Sequence, residues 1–226
     1  GRTDGTVGHR LKAWSVRKEA ENSLKRLGVD VIDLYQIHWP NPEEEIEEGW
    51  AEIARLVEEG KVRYGGVSNF SVEQIKRVQN IHPVASAQPQ YSMLERSPEK
   101  ELLEYCDQQK IGVIVYSPMA SGLLTGKYNR ETVKDIHPED WRLKYNVHFK
   151  PENFGRNIER VEKLREIADR FGRSIGELAI AWVLRRKELT AAIVGSRRAS
   201  QIAQIAPASD WVLSADVVEE IEEILR

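Results

Sequence analysis

The sequence has little cysteine, no long apolar run and no excess of basic residues. Its single cysteine, Cys106, cannot form an internal disulfide, and its apolar-periodic surroundings indicate a small core residue. No apolar run is long enough to cross a membrane. The net charge is −3 with both signs interspersed, which excludes the basic stripe typical of nucleic-acid binding. We therefore expect neither a membrane nor a nucleic acid as a partner.

The remaining composition is that of an ordinary globular protein. The chain has 226 residues, of which 41% are hydrophobic and 31% charged, so it can bury a substantial core. We interpret residues 1–226 as a single domain. Residues 1–5 are polar and glycine-rich, unlike a secretory signal peptide, and we expect a cytoplasmic protein. The acidic run at residues 43–48 precedes a helical pattern and indicates a solvated helix start.

Short apolar runs alternate with longer amphipathic stretches along the whole chain. The apolar runs are rich in β-branched residues and predict strands at 31–37, 62–67, 84–88, 113–116 and 190–194. Apolar residues spaced by three and four predict helices at 16–27, 46–57, 71–78, 99–109, 158–171, 175–186, 200–205 and 215–225. Because a helix usually returns the chain to the same edge of a sheet, we expect the strands to pair in parallel.

An α/β fold of this kind is either a barrel or a doubly wound open sheet. Polar residues follow every predicted strand, as at His38, Gln88 and Ser117. A barrel gathers all strand ends at one rim, whereas an open sheet has a single switch point, so the pattern favours a parallel (β/α)8 TIM barrel. The chain then covers about the last five β/α units. The other three strands are expected before Gly1, unless another element covers the gap.

Residues 128–157 lack a clear period and form the longest predicted loop. The segment contains Trp141, Tyr145 and His148. A loop of this length is usually functional or disordered, so it is either a lid at the rim of the barrel or a mobile insertion.

Three places carry residues suited to chemistry. His38 ends the first strand and is either a structural or a catalytic histidine. The turn at 195–200 combines glycine, hydroxyls and two arginines at a helix start, which suits a phosphate, although both arginines could simply be solvated. The turn at 116–127 has small residues that allow close approach of its backbone, an aromatic at its start and a lysine at its end.

These residues resemble the motifs of the aldo-keto reductases, and the resemblance extends over the whole chain. Residues 23–40 are similar to the family's segment around its active-site histidine, and residues 59–70 are similar to a second signature. The turns at 116–127 and 195–201 are similar to two more.

The resemblance implies reduction of aldehydes and ketones by hydride transfer from NADPH. It implies that His38 orients and polarises the carbonyl, while Ser68, Asn69 and Gln88 hold the carboxamide and Tyr116 stacks on the nicotinamide. Residues along the pyrophosphate would be Ser117, Pro118, Met119, Ala120, Ser121, Gly122, Leu124 and Lys127. Residues at the adenosine end would be Gly195, Ser196, Arg197, Gln201 and Gln204. No metal is implied.

Two functions from different classes follow from the resemblance. The first is an NADP-dependent reductase acting on a small carbonyl substrate, whose other three catalytic residues (tyrosine, aspartate and lysine) are expected upstream of Gly1. The alternative is a cofactor-binding relative without catalysis, acting as a regulatory or partner subunit like the potassium-channel β subunits. The sequence predicts neither the physiological substrate nor the oligomeric state.

Overall fold

The computed structural model describes residues 9–226, so the predicted absence of a signal peptide at residues 1–5 lies outside the described residues. The chain forms two compact units: residues up to 89 with 99–114, and residues 90–98 with 115–226. The single domain over residues 1–226 stays a prediction. In residues 9–226 no helix is both long and apolar enough to span a membrane.

A parallel sheet forms the centre of the first unit. Its strands are β1 (Ile32–Ile37), β2 (Val62–Ser68), β3 (Ser86–Gln88) and β4 (Gly112–Tyr116), of which β4 continues into the second unit. Neighbouring strands pair in parallel, with Ile32 opposite Val62, Gly66 opposite Ser86 and Ser86 opposite Gly112. The predicted parallel pairing is confirmed.

Helices alternate with the strands of the first unit along the chain, each helix preceding one strand. They are α1 (Ala13–Leu27), α2 (Ile46–Glu58), α3 (Val72–Gln79) and α4 (Leu102–Gln109). The helix α1 ends at Gly28, which has a φ of 68°, a conformation that glycine adopts at little cost. The helix α3 begins with a capping box in which Ser71 and Gln74 exchange side-chain to backbone hydrogen bonds.

The core of the first unit includes Trp50, which is fully buried and donates its indole N–H to the carbonyl oxygen of His82 over 3.0 Å. A Cβ atom at Gly65 would lie 2.7 Å from the Ile53 side chain, so α2 packs closely against β2 only because glycine stands there. Cys106 is fully buried, which confirms its interpretation as a core residue.

The second unit contains β5 (Leu189–Ile193), and in the sheet the strands follow one another in the order β1–β2–β3–β4–β5. Its helices are α5 (Trp141–Tyr145), α6 (Pro151–Arg170), α7 (Ile175–Leu184), α8 (Ala199–Ile205) and α9 (Ala215–Leu225).

A cluster around Trp182 holds α9 onto the second unit. Trp182 is fully buried, stacks on Tyr91 with ring centroids 5.5 Å apart, and lies 3.7 Å below the guanidinium carbon of Arg185. Glu222 of α9 accepts hydrogen bonds from the Trp182 indole N–H over 3.2 Å and from Arg185 over 3.3 Å, and it also pairs with Arg96. The stacked rings and paired charges fix the C-terminal helix in place.

The predicted loop at 128–157 differs from the structure. Helix α6 begins at Pro151 rather than at residue 158, because proline is well suited to the first helical turn even where the apolar period is not yet visible. Residues 128–150, called here the 128–150 segment, contain α5 and two short 3-10 helices at Thr132–Asp135 and Val147–Phe149. The segment is therefore locally ordered by turns and caps that hydrophobic periodicity does not reveal.

Candidate active-site and cofactor-binding residues

His38 lies directly after β1 and is exposed. Its ring centroid is 6.0 Å from that of Trp39, and both rings line a cavity of about 350 Å³. Tyr35 and Gln36 of β1 also line this cavity. The histidine is therefore available to a ligand at the carboxyl end of its strand.

The residues expected at the carboxamide form one hydrogen-bond network in the first unit. The Ser68 hydroxyl donates to the Gln88 carbonyl oxygen over 2.7 Å, and the Gln88 side chain donates to the Gln36 side chain over 2.8 Å. Asn69 donates from its side chain to the His38 carbonyl oxygen over 2.9 Å. Asn69 has a φ of 62°, which asparagine tolerates better than most residues. The network brings together the ends of β1, β2 and β3.

Gly66 permits this network to form. A Cβ atom at this position would lie 2.2 Å from the Ser86 hydroxyl and 3.0 Å from Gln36. Because Gln36 also donates to the Ser86 hydroxyl over 3.0 Å, a side chain at Gly66 would break the network from the side of β2.

The second unit holds a larger cavity, of about 770 Å³. Most of the residues expected along the pyrophosphate and adenosine line it. They are Ser117, Pro118, Met119, Ser121, Gly122, Lys127, Gly195, Arg197, Gln201 and Gln204. Tyr116, expected at the nicotinamide, lines the same cavity. The structure thus brings the turn after β4 and the turn after β5 to one cavity, although these turns are far apart in sequence.

Ala120, Leu124 and Ser196 do not line this cavity. Ala120 and Leu124 are buried beneath it, with 1% and 0% of their surface exposed, so they support the turn from its core side. The Ser196 hydroxyl donates to the Arg198 carbonyl oxygen over 2.7 Å and shapes its own turn.

The turn from residue 117 to residue 127, called here the 117–127 turn, has an unusual backbone. Ser117, Ala120 and Ser121 have φ values of 55°, 47° and 58°, and Gly122 has a φ of 92°. Left-handed conformations of residues other than glycine persist only where the surroundings enforce them. They occur preferentially at ligand sites, which makes this turn a candidate for binding.

Side chains from the turn and from other segments hold this backbone. The Thr125 hydroxyl donates to the Gly122 carbonyl oxygen over 2.7 Å, and Arg165 of α6 donates to the Gly126 carbonyl oxygen over 2.9 Å. The side-chain amide of Asn146 donates to the Ser121 hydroxyl over 3.1 Å. The turn is therefore fixed from within, from α6 and from the 128–150 segment.

Charge and an aromatic ring meet at the ends of the 117–127 turn. The Lys127 ammonium lies 4.7 Å above the Tyr128 ring centroid and close to Gly122, where a Cβ atom would be 3.1 Å from it. Tyr116, at the other end, is half-buried. Burial raises the pKa of its phenol, and the charge of Glu95 adds to the effect, so Tyr116 presents a neutral ring.

The turn after β5 is organised by Gln201. Its side-chain oxygen accepts hydrogen bonds from the backbone N–H groups of Arg197 over 2.9 Å and Arg198 over 3.1 Å. Both arginines are exposed, but only Arg197 lines the cavity. Residue Ile205 also lines it, beside Gln204, at the end of α8.

Sequence reasoning missed the start of α7 as part of the cavity wall. Ser174, Gly176 and Glu177 line the cavity, and Ser174 and Glu177 form a capping box. The sequence signal is the Ser-x-x-Glu spacing before an apolar run, which predicts a helix start but not a ligand site. Thr125 and Ile193 also line the cavity without having been predicted.

Glu177 is ionised in this wall. Burial opposes ionisation of its carboxyl, but hydrogen bonds from the Ser174 N–H over 2.8 Å and from Arg173 over 2.9 Å outweigh burial and lower its pKa. Within residues 9–226 no group of three or more histidine, cysteine or acidic side chains is placed to hold a metal ion.

Parallel strands followed by polar turns, with candidate ligand residues at their carboxyl ends, define an α/β protein of the barrel or doubly wound class. The family model described as "Aldo/keto reductase family" matches residues 2–226. The chain belongs to the aldo/keto reductase family, whose solved members place this sheet in a TIM-barrel fold.

Individual relatives agree with this assignment. The chain is 36% identical to aldo-keto reductase YhdN of Bacillus subtilis, over 92% of this chain and 62% of that protein. It is 34% identical to aldo-keto reductase yakc [NADP(+)] of Schizosaccharomyces pombe, over 92% of this chain and 61% of that protein. The structure of the glycerol dehydrogenase AKR11B4 from Gluconobacter oxydans is similar with a TM-score of 0.90 and 34% identity, over 97% of this chain and 66% of that one. The chain therefore spans less than two thirds of the length of these relatives.

Proposed function

We propose that this chain is part of an oxidoreductase that reduces aldehydes or ketones to alcohols with a hydride from NADPH. The observation that carries the proposal is the cavity of about 770 Å³ in the second unit, lined by the 117–127 turn and by the turn after β5. In this proposal the five strands correspond to the last five of an eight-stranded barrel. The proton-donating tyrosine, the aspartate and the lysine expected for the family would belong to the other three units.

Each unit, taken by itself, offers residues whose chemistry suits one part of the cofactor. Ser68, Asn69 and Gln88 offer hydroxyl and amide groups that suit a carboxamide, and the neutral ring of Tyr116 offers a stacking surface. Small residues of the 117–127 turn let its backbone approach the pyrophosphate, while Lys127 supplies a positive charge. His38 would donate a hydrogen bond to the carbonyl oxygen of the substrate.

Arg197 is the residue proposed to select NADPH over NADH. Its guanidinium is a forked donor that matches a phosphate, and it is the arginine of this turn that lines the cavity. Arg198 is adjacent, carries the same charge and does not line the cavity, which makes it a matched control.

The test measures NADPH and NADH dissociation constants by fluorescence titration of Arg197→Ala and Arg198→Ala. We expect Arg197→Ala to weaken NADPH binding by about 10-fold or more, the scale of a hydrogen bond to a charged group, and to leave NADH binding within about twofold. Arg198→Ala should change neither by more than about twofold. Equal losses in both variants would contradict the assignment of Arg197.

Turnover separates the two functional classes. NADPH oxidation with a panel of small aldehydes and ketones is measured on the whole protein, with the proposed upstream units included. Binding with turnover supports the reductase, whereas tight NADPH binding without turnover of any carbonyl would favour the regulatory or partner subunit. A protein that binds neither nucleotide would contradict both.

A further inference from the structure

Asn146 links the 128–150 segment to the 117–127 turn. It is buried, with 8% of its surface exposed. Its side-chain oxygen accepts a hydrogen bond from the His148 backbone N–H over 2.9 Å, and its side-chain nitrogen donates to the Ser121 hydroxyl over 3.1 Å. The acceptor oxygen of the Asn146 amide is therefore bonded within its own segment, and its donor nitrogen is bonded to the 117–127 turn.

Ser121 needs a contact of this kind. Its φ of 58° lies between 47° at Ala120 and 92° at Gly122, so three consecutive residues adopt left-handed backbone. Serine has no intrinsic preference for that conformation, and the surroundings must therefore enforce it. Ser121 and Gly122 are also two of the residues that line the cavity.

We propose that Asn146 is a positioning residue, which holds Ser121 and Gly122 in the backbone conformation that receives the cofactor. The inference rests on the proposed function. Asn146 does not line the cavity and acts through Ser121 rather than by touching the cofactor. When Asn146 is absent, the turn relaxes and must be reordered on binding, which weakens affinity for the cofactor without changing the chemical step.

Asn157 is a matched control in the same neighbourhood. It is buried, with 3% exposed, and its side-chain nitrogen donates to the His148 carbonyl oxygen over 3.1 Å. Asn157 therefore supports the same short helix as Asn146, which accepts from the His148 N–H over 2.9 Å. Among the hydrogen bonds of residues 9–226, the Asn157 side chain donates to His148 and not to the 117–127 turn, and Asn157 does not line the cavity.

The experiment compares Asn146→Ala with Asn157→Ala in the whole protein, using NADPH as the probe. We expect Asn146→Ala to raise the NADPH dissociation constant about 3- to 10-fold, the scale of one hydrogen bond. The turnover number at saturating NADPH should stay within about twofold. Asn157→Ala should lower thermal stability about as much as Asn146→Ala does, but it should change the NADPH dissociation constant by less than about twofold. Equal weakening in both variants would overturn the proposal, because the effect would then be structural.

A double-mutant cycle with Ser121→Ala tests whether Asn146 acts on cofactor binding through Ser121. If Asn146 acts through Ser121, Asn146→Ala in the Ser121→Ala background should change NADPH binding by less than about twofold. Full additivity of the two substitutions would overturn the route through Ser121.

Amide hydrogen exchange without any nucleotide separates this inference from the proposed function. Asn146→Ala should speed exchange at residues 121–124, whereas Asn157→Ala should leave these amides unchanged. Unchanged exchange in Asn146→Ala would overturn the positioning role. If the unmodified protein binds neither NADPH nor NADH, the proposed function fails, and the exchange result alone then decides whether Asn146 positions the turn.

Discussion

At the scale of single residues, the exposure of His38 beside a rigid network is its most informative property. The Asn69 side chain fixes the carbonyl oxygen of His38, and Ser68 and Gln88 fix Asn69 in turn. The backbone at His38 is therefore held by a network while the imidazole stays accessible, an arrangement suited to a group that must meet a ligand repeatedly.

We expect His38→Ala to lower the turnover number by about 10²-fold or more, the range for loss of an acid–base or polarising group. The NADPH dissociation constant should stay within about twofold, because the proposed role concerns the carbonyl and not the cofactor. Steady-state kinetics and fluorescence titration measure the two quantities. His82→Ala is the control, since His82 precedes β3 at the opposite ends of the strands. Equal losses of turnover and affinity would rule out the role of His38.

Cys106 offers a second test at this scale. Burial raises the pKa of its thiol to about 11, so the reactive thiolate is scarce at neutral pH and the sulfur is also shielded. We expect no modification of the folded protein by a thiol reagent at pH 8, and full modification in denaturant. Rapid labelling under native conditions would show that the helix α4 opens readily.

At the scale of elements, local signals in the sequence predict some boundaries and not others. The predicted start of α3 at residue 71 agrees with the structure, in which the capping box joins Ser71 and Gln74, three residues apart. The start of α6 was missed because its first turn carries no apolar period, although Pro151 marks it. The strand β3 begins at Ser86 rather than at residue 84, yet Ala85 already donates to the Gly65 carbonyl oxygen over 2.9 Å. The cavity wall at Ser174 could not be predicted, since it depends on packing between segments distant in sequence.

The capping box of α7 predicts a pH dependence of stability. The pKa of Glu177 is lowered in the folded protein, so the carboxylate stabilises the fold fully above the unfolded pKa of about 4.3. This contribution is lost as the pH falls through the lower, folded pKa. We expect Glu177→Gln to reduce the free energy of unfolding by about 1–2 kcal/mol at pH 7, and the difference from the unmodified protein to shrink below about pH 4.

Urea unfolding at several pH values measures this difference. Glu159→Gln is the control. Glu159 lies on α6 and forms an exposed ion pair with Arg130, and such pairs contribute little to the free energy of unfolding. A loss in Glu177→Gln that does not depend on pH would show that packing, rather than charge, explains its effect.

At the scale of the whole molecule, the first and last strands of the sheet differ from the inner strands in having fewer neighbouring strands to pair with. Within residues 9–226, β1 pairs only with β2, and β5 stands last in the order. The Ile32 N–H donates to the carbonyl oxygen of Lys61, the residue before β2, over 2.9 Å. Because successive backbone N–H groups of a strand point to opposite sides, the Asp33 N–H points to the unpaired edge. An unpaired strand edge is a template for association with another chain.

The polypeptide of residues 1–226, expressed by itself, should therefore self-associate, and Asp33→Pro should reduce the association. Proline at residue 33 removes a donor from the open edge without removing a backbone bond to β2. The Asp33 side chain is exposed and pairs with Arg63 at the surface. Leu34→Pro, one residue on, should unfold the first unit instead. Light scattering and circular dichroism measure the two effects. Monomeric behaviour of the unmodified polypeptide would contradict the prediction.

The two fully buried tryptophans have a practical consequence. Trp50 lies in the first unit and Trp182 in the second, each among the largest side chains of its own interior. Each unit thus contains one fluorophore that is shielded from water. The sequence has six tryptophans, and a variant whose sole tryptophan is Trp50 or Trp182 would emit at short wavelength while the corresponding unit is intact. The red shift on unfolding would then show separately when each unit loses its structure.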